Sequence, residues 1–315
     1  MARRRGQLNL DMSHVRLSYF LAVYEQKTIN KAAAELGISQ QALSKSIAKL
    51  ESALKVDLFE RTPVGVQPTI FGDRLAERAR VILAEAEIAA SELEALRGYR
   101  SGMVRLGVGP SLAAIRAPEA ICELRRRLPD VGISTIIGNT ETLLPMLTGG
   151  ALDIIVSAPV ASIQIDESLN CETFGDEYDE VVGRADHPLR QKEGLRLEDF
   201  ADFTWVGETS TSHVIRRASK VFVNAQLSPF VDVISTSSMD LLRSMIIRSD
   251  ALSLLCKELY HREFEAGLIL PFDVPEFKMT RQIRMFSRSR SKPTPPVRLM
   301  TEILRDRLSQ NRSGL

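Results

Sequence analysis

A single glycine separates two short helical patterns in the stretch NKAAAELGISQQALSKSIAKLE, residues 30–51. The first pattern begins at Asn30, which can cap a helix, and ends at Gly37, which adopts the left-handed conformation without a Cβ penalty. Ser39 can then accept a hydrogen bond from the free N–H groups that open the second helix. The stretch therefore predicts two helices joined by a tight glycine turn.

The second helix is predicted to bury only one face. Its apolar side chains recur at steps of four, three and four residues and so form one stripe: Leu43, Ile47, Leu50 and Leu54. Amides, hydroxyls and cations project elsewhere: Gln40, Gln41, Ser44, Lys45 and Lys49. A helix-turn-helix uses such side chains in the major groove, where Gln reads adenine and Lys binds guanine or phosphate. The alternative is an ordinary helical hairpin with a solvated polar face.

The segments on either side favour the helix-turn-helix. Upstream, VRLSYFLAVYEQKT has apolar side chains at helical spacing, which predicts a first helix that covers the pair: Leu17, Phe20, Leu21 and Tyr24. Downstream, LFERTPVGVQPT places Arg61 before a turn from Pro63 to Gly65, and Val64 and Val66 alternate as in a short hairpin. This hairpin is predicted to form a wing.

The stretch INKAAAELGISQQALSKSIAKLESALKVDLFERT resembles the winged helix-turn-helix of LysR-type transcriptional regulators, and the resemblance covers nearly the whole chain. In that family the second helix opens with Ser-Gln-Pro-Ala-Leu-Ser, whereas this chain has Gln41 in place of the proline. A proline in the first helical turn mainly fixes φ, so its loss should cost little structure and can add a donor for DNA. The resemblance implies a set of DNA-contacting residues, of which the last two lie nearer phosphates: Asn30, Ser39, Gln40, Gln41, Ser44, Lys45, Lys49 and Arg61.

A long helix is predicted after the wing. Thr69 can cap it, and no proline interrupts the chain before Gly98. Apolar residues alternate at steps of four and three, which is a heptad seam: Leu75, Ala79, Ile82, Ala86, Ala89, Leu93 and Leu96. The seam can pair with a second copy or pack on its own chain. The resemblance favours dimerisation and implies a homodimer or a homotetramer.

Strand and helix patterns alternate in the C-terminal two thirds, which predicts parallel α/β sheets. One series contains MVRLGVG, SLAAIRAPEAICELRRRLPD, VGISTIIG, TETLLPMLTGG and ALDIIVSA, and a second contains FTWVG, HVIRRASKVFVNAQ, FVDVIST, SMDLLRSMIIRSD, ALSLLC and KELYHREFEAG. The resemblance implies a two-lobed periplasmic-binding-protein fold in which the chain crosses between lobes twice, so that the last strand and helix return to the first lobe.

The predicted fold class is α/β with an α-rich N-terminal winged helix-turn-helix, a long linker helix and a two-lobed, periplasmic-binding-protein-like effector domain. The expected boundaries are residues 1–68 for the DNA-binding domain, 69–98 for the dimerisation helix and 99–315 for the effector domain. Within the effector domain, lobe I is expected at about 102–160 and 272–310, and lobe II at about 161–271.

Hydroxyl and amide residues recur where predicted strands end and helices begin. Ligands of open α/β sheets bind at such places, because helix N-termini offer free N–H groups and a positive dipole end to an anion. The resemblance implies that these residues face the interlobe cleft and hold a small effector, an organic anion: Ser111, Asn139, Thr140, Thr209, Ser210, Thr236 and Ser237. For each residue alone, the alternative is a helix cap.

Other classes of protein are less well supported. An enzyme with a dinucleotide site is disfavoured, because GVGPSL has Leu112 where the third glycine belongs. His187 has no evident nucleophile beside it and is predicted to lie in a loop. A solute-binding protein would share the two-lobed fold but would have no use for a helix-turn-helix. The four His are too scattered to suggest metal ligands, and we also expect no catalytic residue and no cofactor.

A redox-sensing regulator of the same fold is a further alternative, because it would use a cysteine pair. Cys122, Cys171 and Cys256 lie far apart without a CxxC motif, so buried apolar thiols in a reducing cytosol are favoured. The basic start MARRRGQLNLDMSHV lacks the apolar region of a signal peptide, which predicts a cytoplasmic protein.

The sequence thus predicts a DNA-binding transcriptional activator or repressor that is not an enzyme. Its expected partners are double-stranded DNA, a small-molecule effector and further copies of itself, with RNA polymerase also allowed and no membrane.

Overall fold

The structure is a computed structural model that describes residues 12–96, 102–159, 165–208, 212–228, 233–289 and 292–309. The chain forms two compact units, the first from the N-terminus to Arg97 and the second over most of the remainder. No helix among the described residues is long and apolar enough to cross a bilayer.

The N-terminal unit is a three-helix bundle followed by a hairpin and a long helix. Its elements are α1 (His14–Gln26), α2 (Ile29–Glu35), α3 (Gln40–Leu54), β1 (Phe59–Thr62), β2 (Gly65–Pro68) and α4 (Ile70–Leu96). One apolar cluster holds the three helices together, with Leu17 and Phe20 from α1 and Leu43, Ile47 and Leu50 from α3 fully or almost fully buried. The predicted inward stripe of the second helix is confirmed.

The glycine turn between α2 and α3 forms as predicted. Gly37 has φ 65°, and the Ser39 hydroxyl accepts a hydrogen bond from the Ala42 N–H at 3.2 Å. The cap assigned to Asn30 is wrong. Because Thr28 has the extended backbone of a cap residue, α2 already begins at Ile29, and Asn30 is an exposed residue inside its first turn.

The wing is an antiparallel hairpin of β1 and β2, as predicted. Gly65 has φ 146°, and a Cβ added to it would lie 2.4 Å from the Lys27 carbonyl oxygen, so only glycine fits there without movement of the backbone. That same carbonyl accepts a hydrogen bond from the Val66 N–H at 2.9 Å. At the other end of the wing, the Glu51 carboxylate accepts a hydrogen bond from the Leu58 N–H at 2.8 Å. The wing is therefore fixed to the bundle at both ends.

Helix α4 begins with the predicted cap, because the Thr69 hydroxyl accepts a hydrogen bond from the Gly72 N–H at 3.2 Å. The first part of the predicted seam packs in the N-terminal unit and is not free to pair with a second copy of the chain. Ala79 is fully buried in the core of the N-terminal unit, and Leu75 packs against the same core. The small side chains of Ala76 and Ala79 let α4 approach α1 closely, so this part of the helix packs on its own chain.

The C-terminal unit is an α/β domain. Its strands are β3 (Gly102–Val108), β4 (Val131–Ile137), β5 (Ile154–Ser157), β6 (Leu169–Arg184), β7 (Trp205–Glu208), β8 (Val233–Thr236), β9 (Ser253–Cys256), β10 (Ile269–Pro271) and β11 (Met279–Arg288). Its helices are α5 (Pro110–Ala114), α6 (Arg116–Arg127), α7 (Thr140–Thr148), α8 (Ser212–Asn224), α9 (Met239–Arg248), α10 (His261–Glu265) and α11 (Pro295–Ser309). Short 3₁₀ turns lie at Pro188–Gln191, Leu197–Phe200, Lys257–Tyr260 and Pro275–Phe277.

The predicted parallel arrangement is confirmed in both series, because β3 pairs in parallel with β4 and β5, and β7 pairs in parallel with β8. Helix α11 packs against α6 and β3, so the chain returns to the first lobe as expected.

No secondary structure is predicted from the sequence for the segment that forms β6, the longest of the described strands. Strand β6 has 16 residues and pairs with β11, β10 and β9 in one mixed sheet, whose order is β10-β6-β11-β5-β3-β4. The register of β6 and β11 shifts once, between Ile283 and Arg284. Of the second series only β9 joins this sheet, through β6, whereas β7 and β8 form a separate two-stranded sheet.

One predicted helix is in fact two. The segment SLAAIRAPEAICELRRRLPD breaks at Ile115, which has φ −133° and ψ −58°, and forms α5 and α6. Pro118 lacks an N–H and cannot donate to the preceding turn, and in the first turn of α6 no such hydrogen bond is required of it.

Candidate DNA-binding surface and effector cleft

Helix α3 separates an apolar inner face from a polar outer face. The hydroxyl of Ser39 caps the helix, and the apolar stripe is turned into the bundle, so the remaining side chains of the first turns face away from it. Most of the predicted DNA-contacting residues are exposed: Asn30, Ser39, Gln40, Gln41, Lys45, Lys49 and Arg61. Ser44 is half-buried.

The exposed face has the chemistry that a duplex requires. Gln41, Lys45 and Lys49 recur at steps of four and lie along one ridge of α3. The amides can donate to and accept from base edges, while the ammonium groups can contact guanine or phosphate. Arg61 lies on β1 in the wing, which is a separate element from α3.

In the C-terminal unit, three predicted cleft residues follow strands β3 and β4. The Ser111 hydroxyl is buried and donates to Glu177 Oε1 at 3.1 Å. Thr140 Oγ1 and Ser157 Oγ are buried and form a hydrogen bond of 2.8 Å. Since β3, β4 and β5 are parallel, the residues that follow them lie at one edge of the sheet. Asn139 Oδ1 accepts from the Thr142 N–H at 2.9 Å, which is the capping interaction.

On the other lobe, Thr236 Oγ1 accepts a hydrogen bond from the Ser238 N–H at 3.0 Å, and Ser237 is exposed. The cap of α9 is neither of these residues but Ser238, whose hydroxyl accepts from the Leu241 N–H at 3.2 Å. The predicted residues Thr209 and Ser210 lie outside the described residues.

A buried ion cluster on β6 and β11 was not predicted. Arg281 Nη2 lies 2.6 Å from Glu177 Oε1 and 2.7 Å from Asp179 Oδ1, and its Nη1 donates to the Ala158 carbonyl at 3.2 Å. Burial raises the pKa of Glu177 to about 7, and the Arg281 charge opposes this rise. Arg281 and Asp179 are 102 positions apart in the sequence, so the only local signal was the alternation of β6, which buries charges where apolar residues are usual.

His187 has a structural role. Its ring is fully buried, with Nε2 at 3.1 Å from the Asp250 carbonyl oxygen and Nδ1 accepting from the Leu189 N–H at 3.2 Å. Burial lowers the pKa of the imidazole, which favours the neutral ring. The prediction that His187 belongs to a loop agrees with its position between β6 and the next 3₁₀ turn.

Two family models match the chain. Residues 15–84 match "Bacterial regulatory helix-turn-helix protein, lysR family", and residues 97–309 match "LysR substrate binding domain".

Curated relatives carry names of regulators. The "HTH-type transcriptional regulator GbpR" of Azospirillum brasilense is 28% identical over 79% of this chain and 72% of its own length. The "Probable hydrogen peroxide-inducible genes activator" of Streptomyces viridosporus is 34% identical, over 62% of this chain and 60% of its own length.

Solved structures share the fold over almost the full chain. Full-length OxyR C199D from Pseudomonas aeruginosa has a TM-score of 0.65 at 23% identity, covering 94% of each chain. Full-length CbnR in complex with its target DNA has a TM-score of 0.64 at 17% identity, covering 94% of this chain and 100% of that one. The family that these comparisons define is one of transcriptional regulators. With a winged helix-turn-helix in its first unit and a LysR substrate-binding domain over most of its length, this chain belongs to the LysR family of bacterial transcriptional regulators.

Proposed function

We propose that this regulator reads operator DNA with α3 in the major groove, with its wing beside the duplex, and that a small molecule in the interlobe cleft modulates this binding. The observation that carries the proposal is the division of α3 into one buried apolar stripe and one exposed row of amides and cations. The functional boundaries are residues 1–68, 69–98 and 99–315. The protein acts by binding and not as an enzyme, and such a role places it in the cytoplasm with the DNA.

The exposed side chains of α3 and the wing have two proposed roles, base reading and phosphate binding. Gln40 and Gln41, in the first turn of α3, are proposed to read base edges, because an amide can bind both N6 and N7 of adenine. Lys45 is proposed to bind guanine or phosphate, and Lys49 and Arg61 to bind phosphates, because point charges and guanidinium groups suit the backbone.

The test is fluorescence anisotropy of the purified protein on the DNA upstream of its own gene and on a scrambled duplex, over a salt series. Gln40→Ala is expected to reduce the preference for the specific duplex by about 1–3 kcal/mol, because one bidentate base contact is lost. Lys45→Ala is expected to weaken binding to both duplexes and, if it contacts a phosphate, to lower the salt slope by about 1.

The control is Gln282→Ala, which makes the same change at an exposed position of β11 and should leave binding unchanged. Equal and weak binding of both duplexes by the wild type, together with a genome-wide selection that finds no site, would overturn the proposal.

The second part of the α4 seam is proposed to pair with another copy of the chain. Ile82 is 42% exposed and Leu93 is 63% exposed, and Ala86 and Ala89 between them are also exposed. Leu96 lies where no side chain is described. A stripe of this kind buries its apolar area against a partner helix, and a dimer presents two recognition helices to the two halves of a palindromic site. A homotetramer would need further contacts.

Leu93→Asp is expected to shift the protein from dimer towards monomer, because a carboxylate would have to be buried in the seam. Sedimentation velocity over a concentration series measures the shift. Leu93→Met keeps an apolar side chain at the same position and should leave the dimer intact. A Leu93→Asp protein that stays dimeric at the lowest concentration would show that the seam is not the interface.

The effector is proposed to be a small organic anion whose charged group binds at the first turn of α7. That helix has nine residues, and its start, at Asn139 and Thr140, lies at the carboxyl end of β4. Ser111 is a poor place for a negative group, because its hydroxyl already donates to the Glu177 carboxyl. Ser111 and the residues of the other lobe are therefore proposed to contact uncharged parts of the effector.

Thiol oxidation is a weaker candidate for regulation, although two of the similar proteins have names that refer to OxyR or to peroxide. All three cysteines are free, but only Cys256 is buried, whereas Cys171 is half-buried and Cys122 is exposed, so the prediction of buried thiols is wrong for Cys122. Burial raises the pKa of Cys256 well above its usual value and also raises the pKa of Cys171. The thiolate is the form that reacts with oxidants, so both groups are held in the less reactive state.

A further inference from the structure

We propose that Glu177, Cys256 and Glu258 form a binding site for a divalent transition-metal ion of the zinc class. One carboxylate oxygen of Glu177, the sulfur of Cys256 and one carboxylate oxygen of Glu258 lie within 4.8 Å of one another. Cys256 is completely buried, Glu177 is almost completely buried, and Glu258 is half-buried. Sulfur and oxygen donors around one point are the ligands that a borderline-soft cation prefers.

The two oxygens of the Glu177 carboxyl group differ in their contacts. Oε1 accepts the hydrogen bond of the Ser111 hydroxyl and lies 2.6 Å from Arg281 Nη2. Oε2 is buried and has no hydrogen-bond partner among the residues that the structure describes. A buried oxygen of this kind carries a desolvation cost that protein groups do not offset, and a cation at the neighbouring Cys256 and Glu258 would offset it.

The contacts to Oε1 resemble the support that metal ligands usually have. A ligating carboxylate is commonly held by hydrogen bonds to its other oxygen, which fix its orientation. Ser111 and Arg281 supply these contacts, and Arg281 is itself held by Asp179 at 2.7 Å and by the Ala158 carbonyl. The orientation of Glu177 is therefore set from two sides before any ion binds.

The charges of the cluster also favour a cation. The carboxyl groups of Glu177 and Glu258 lie beside the Cys256 thiol, and Asp179 shares the guanidinium of Arg281 with Glu177. Lys257 is adjacent in the chain, but its Nζ lies 4.3 Å from the centre of the Phe264 ring. Deprotonated ligands would thus leave an excess of negative charge, which a divalent ion can neutralise.

The choice of ion follows from the donors. Calcium and magnesium prefer six or more oxygen ligands, whereas zinc accepts one sulfur with oxygens in a four-coordinate site. Three protein ligands leave a fourth position for water. The site joins the middle of β6 to the end of β9 and to the following 3₁₀ turn, which packs against α5. An ion there would connect β6 to β9 and to this turn.

The test uses the full-length protein, first treated with a chelator and then titrated with Co²⁺, whose thiolate complex has a charge-transfer absorption band. The wild type is expected to develop this band at one equivalent, and Zn²⁺ is expected to remove it by competition. Cys256→Ser should abolish the band, and Glu258→Gln, at a half-buried position, should weaken Co²⁺ binding by about tenfold or more. Ser111→Ala, which removes a supporting hydrogen bond, should weaken it by about 10–100-fold.

Cys122→Ser and Cys171→Ser are the matched controls and should keep the band. A wild type with no band, or a band that survives in Cys256→Ser, would overturn the proposal. DNA binding of the metal-free protein distinguishes this site from the proposed function, because operator recognition by α3 does not depend on the metal.

Discussion

Replacement of Arg281 with Met is expected to lower the free energy of unfolding of the C-terminal unit by about 3–5 kcal/mol. The guanidinium is 8% exposed and lies between Glu177 and Asp179. Met fills a similar volume but leaves two buried carboxyl groups without their cation. The expected loss of stability is therefore the free-energy cost of burying two carboxyl groups without a cation. This cost exceeds the net contribution of the original ion pairs to stability.

Urea denaturation followed by circular dichroism measures this change. The control is Lys278→Met, which removes a cation from an exposed ion pair with Asp273 and should change the free energy of unfolding by about 0.5 kcal/mol or less. Adding Glu177→Gln and Asp179→Asn to Arg281→Met should recover part of the loss, because neutral amides cost less to bury than carboxylates. An Arg281→Met protein as stable as the wild type would show that the cluster is hydrated in solution.

Phe277→Ala is expected to lower the free energy of unfolding by about 3–5 kcal/mol. Phe277 is fully buried in an aromatic cluster, with its ring centre 5.5 Å from Trp205, 6.0 Å from Phe200 and 5.6 Å from Phe222. Truncation to Ala leaves a cavity that these three rings cannot close by small movements. Trp205 is the only tryptophan in the sequence, so its fluorescence reports the unfolding of this cluster alone.

Two further variants serve as comparisons for Phe277→Ala. Phe277→Leu keeps much of the buried volume and should lose less stability than Phe277→Ala. Phe71→Ala truncates a ring that is 54% exposed in the N-terminal unit and should not move the Trp205 transition. A Phe277→Ala protein with an unchanged Trp205 transition would mean that the cluster repacks without a cavity.

Features set by neighbouring residues were predicted well. The turn at Gly37 and the cap at Ser39 depend on a few consecutive residues, and both form as expected. The cap at Asn30 failed, because the start of α2 is set by the extended backbone of Thr28 and not by the better capping side chain. Periodicity also identified the apolar side of α4 but not its partner, so Leu75 and Ala79 were assigned to a second copy although they pack on their own unit.

Features set by distant residues were not predicted. Glu177 and Asp179 look like surface charges in the sequence, because nothing near them indicates that Arg281 lies on the adjacent strand. The grouping of Cys256 and Glu258 with Glu177 likewise results from the pairing of β6 with β9. The absence of a metal motif from the sequence reflects this long separation, since such motifs record only ligands that are close in the chain.

The continuous strand β6 limits how the two lobes can move. The 16 residues of β6 run from one lobe into the other, and β11 is hydrogen-bonded to β6 along Leu169–Asp179. The lobes are therefore connected by paired strands and not by flexible linkers. A change in their relative orientation has to bend and twist this pair of strands, and the deformation is elastic. We therefore expect small rotations with a restoring torque, concentrated at the register shift beside Ile283, where the regular spacing of the strands is already interrupted.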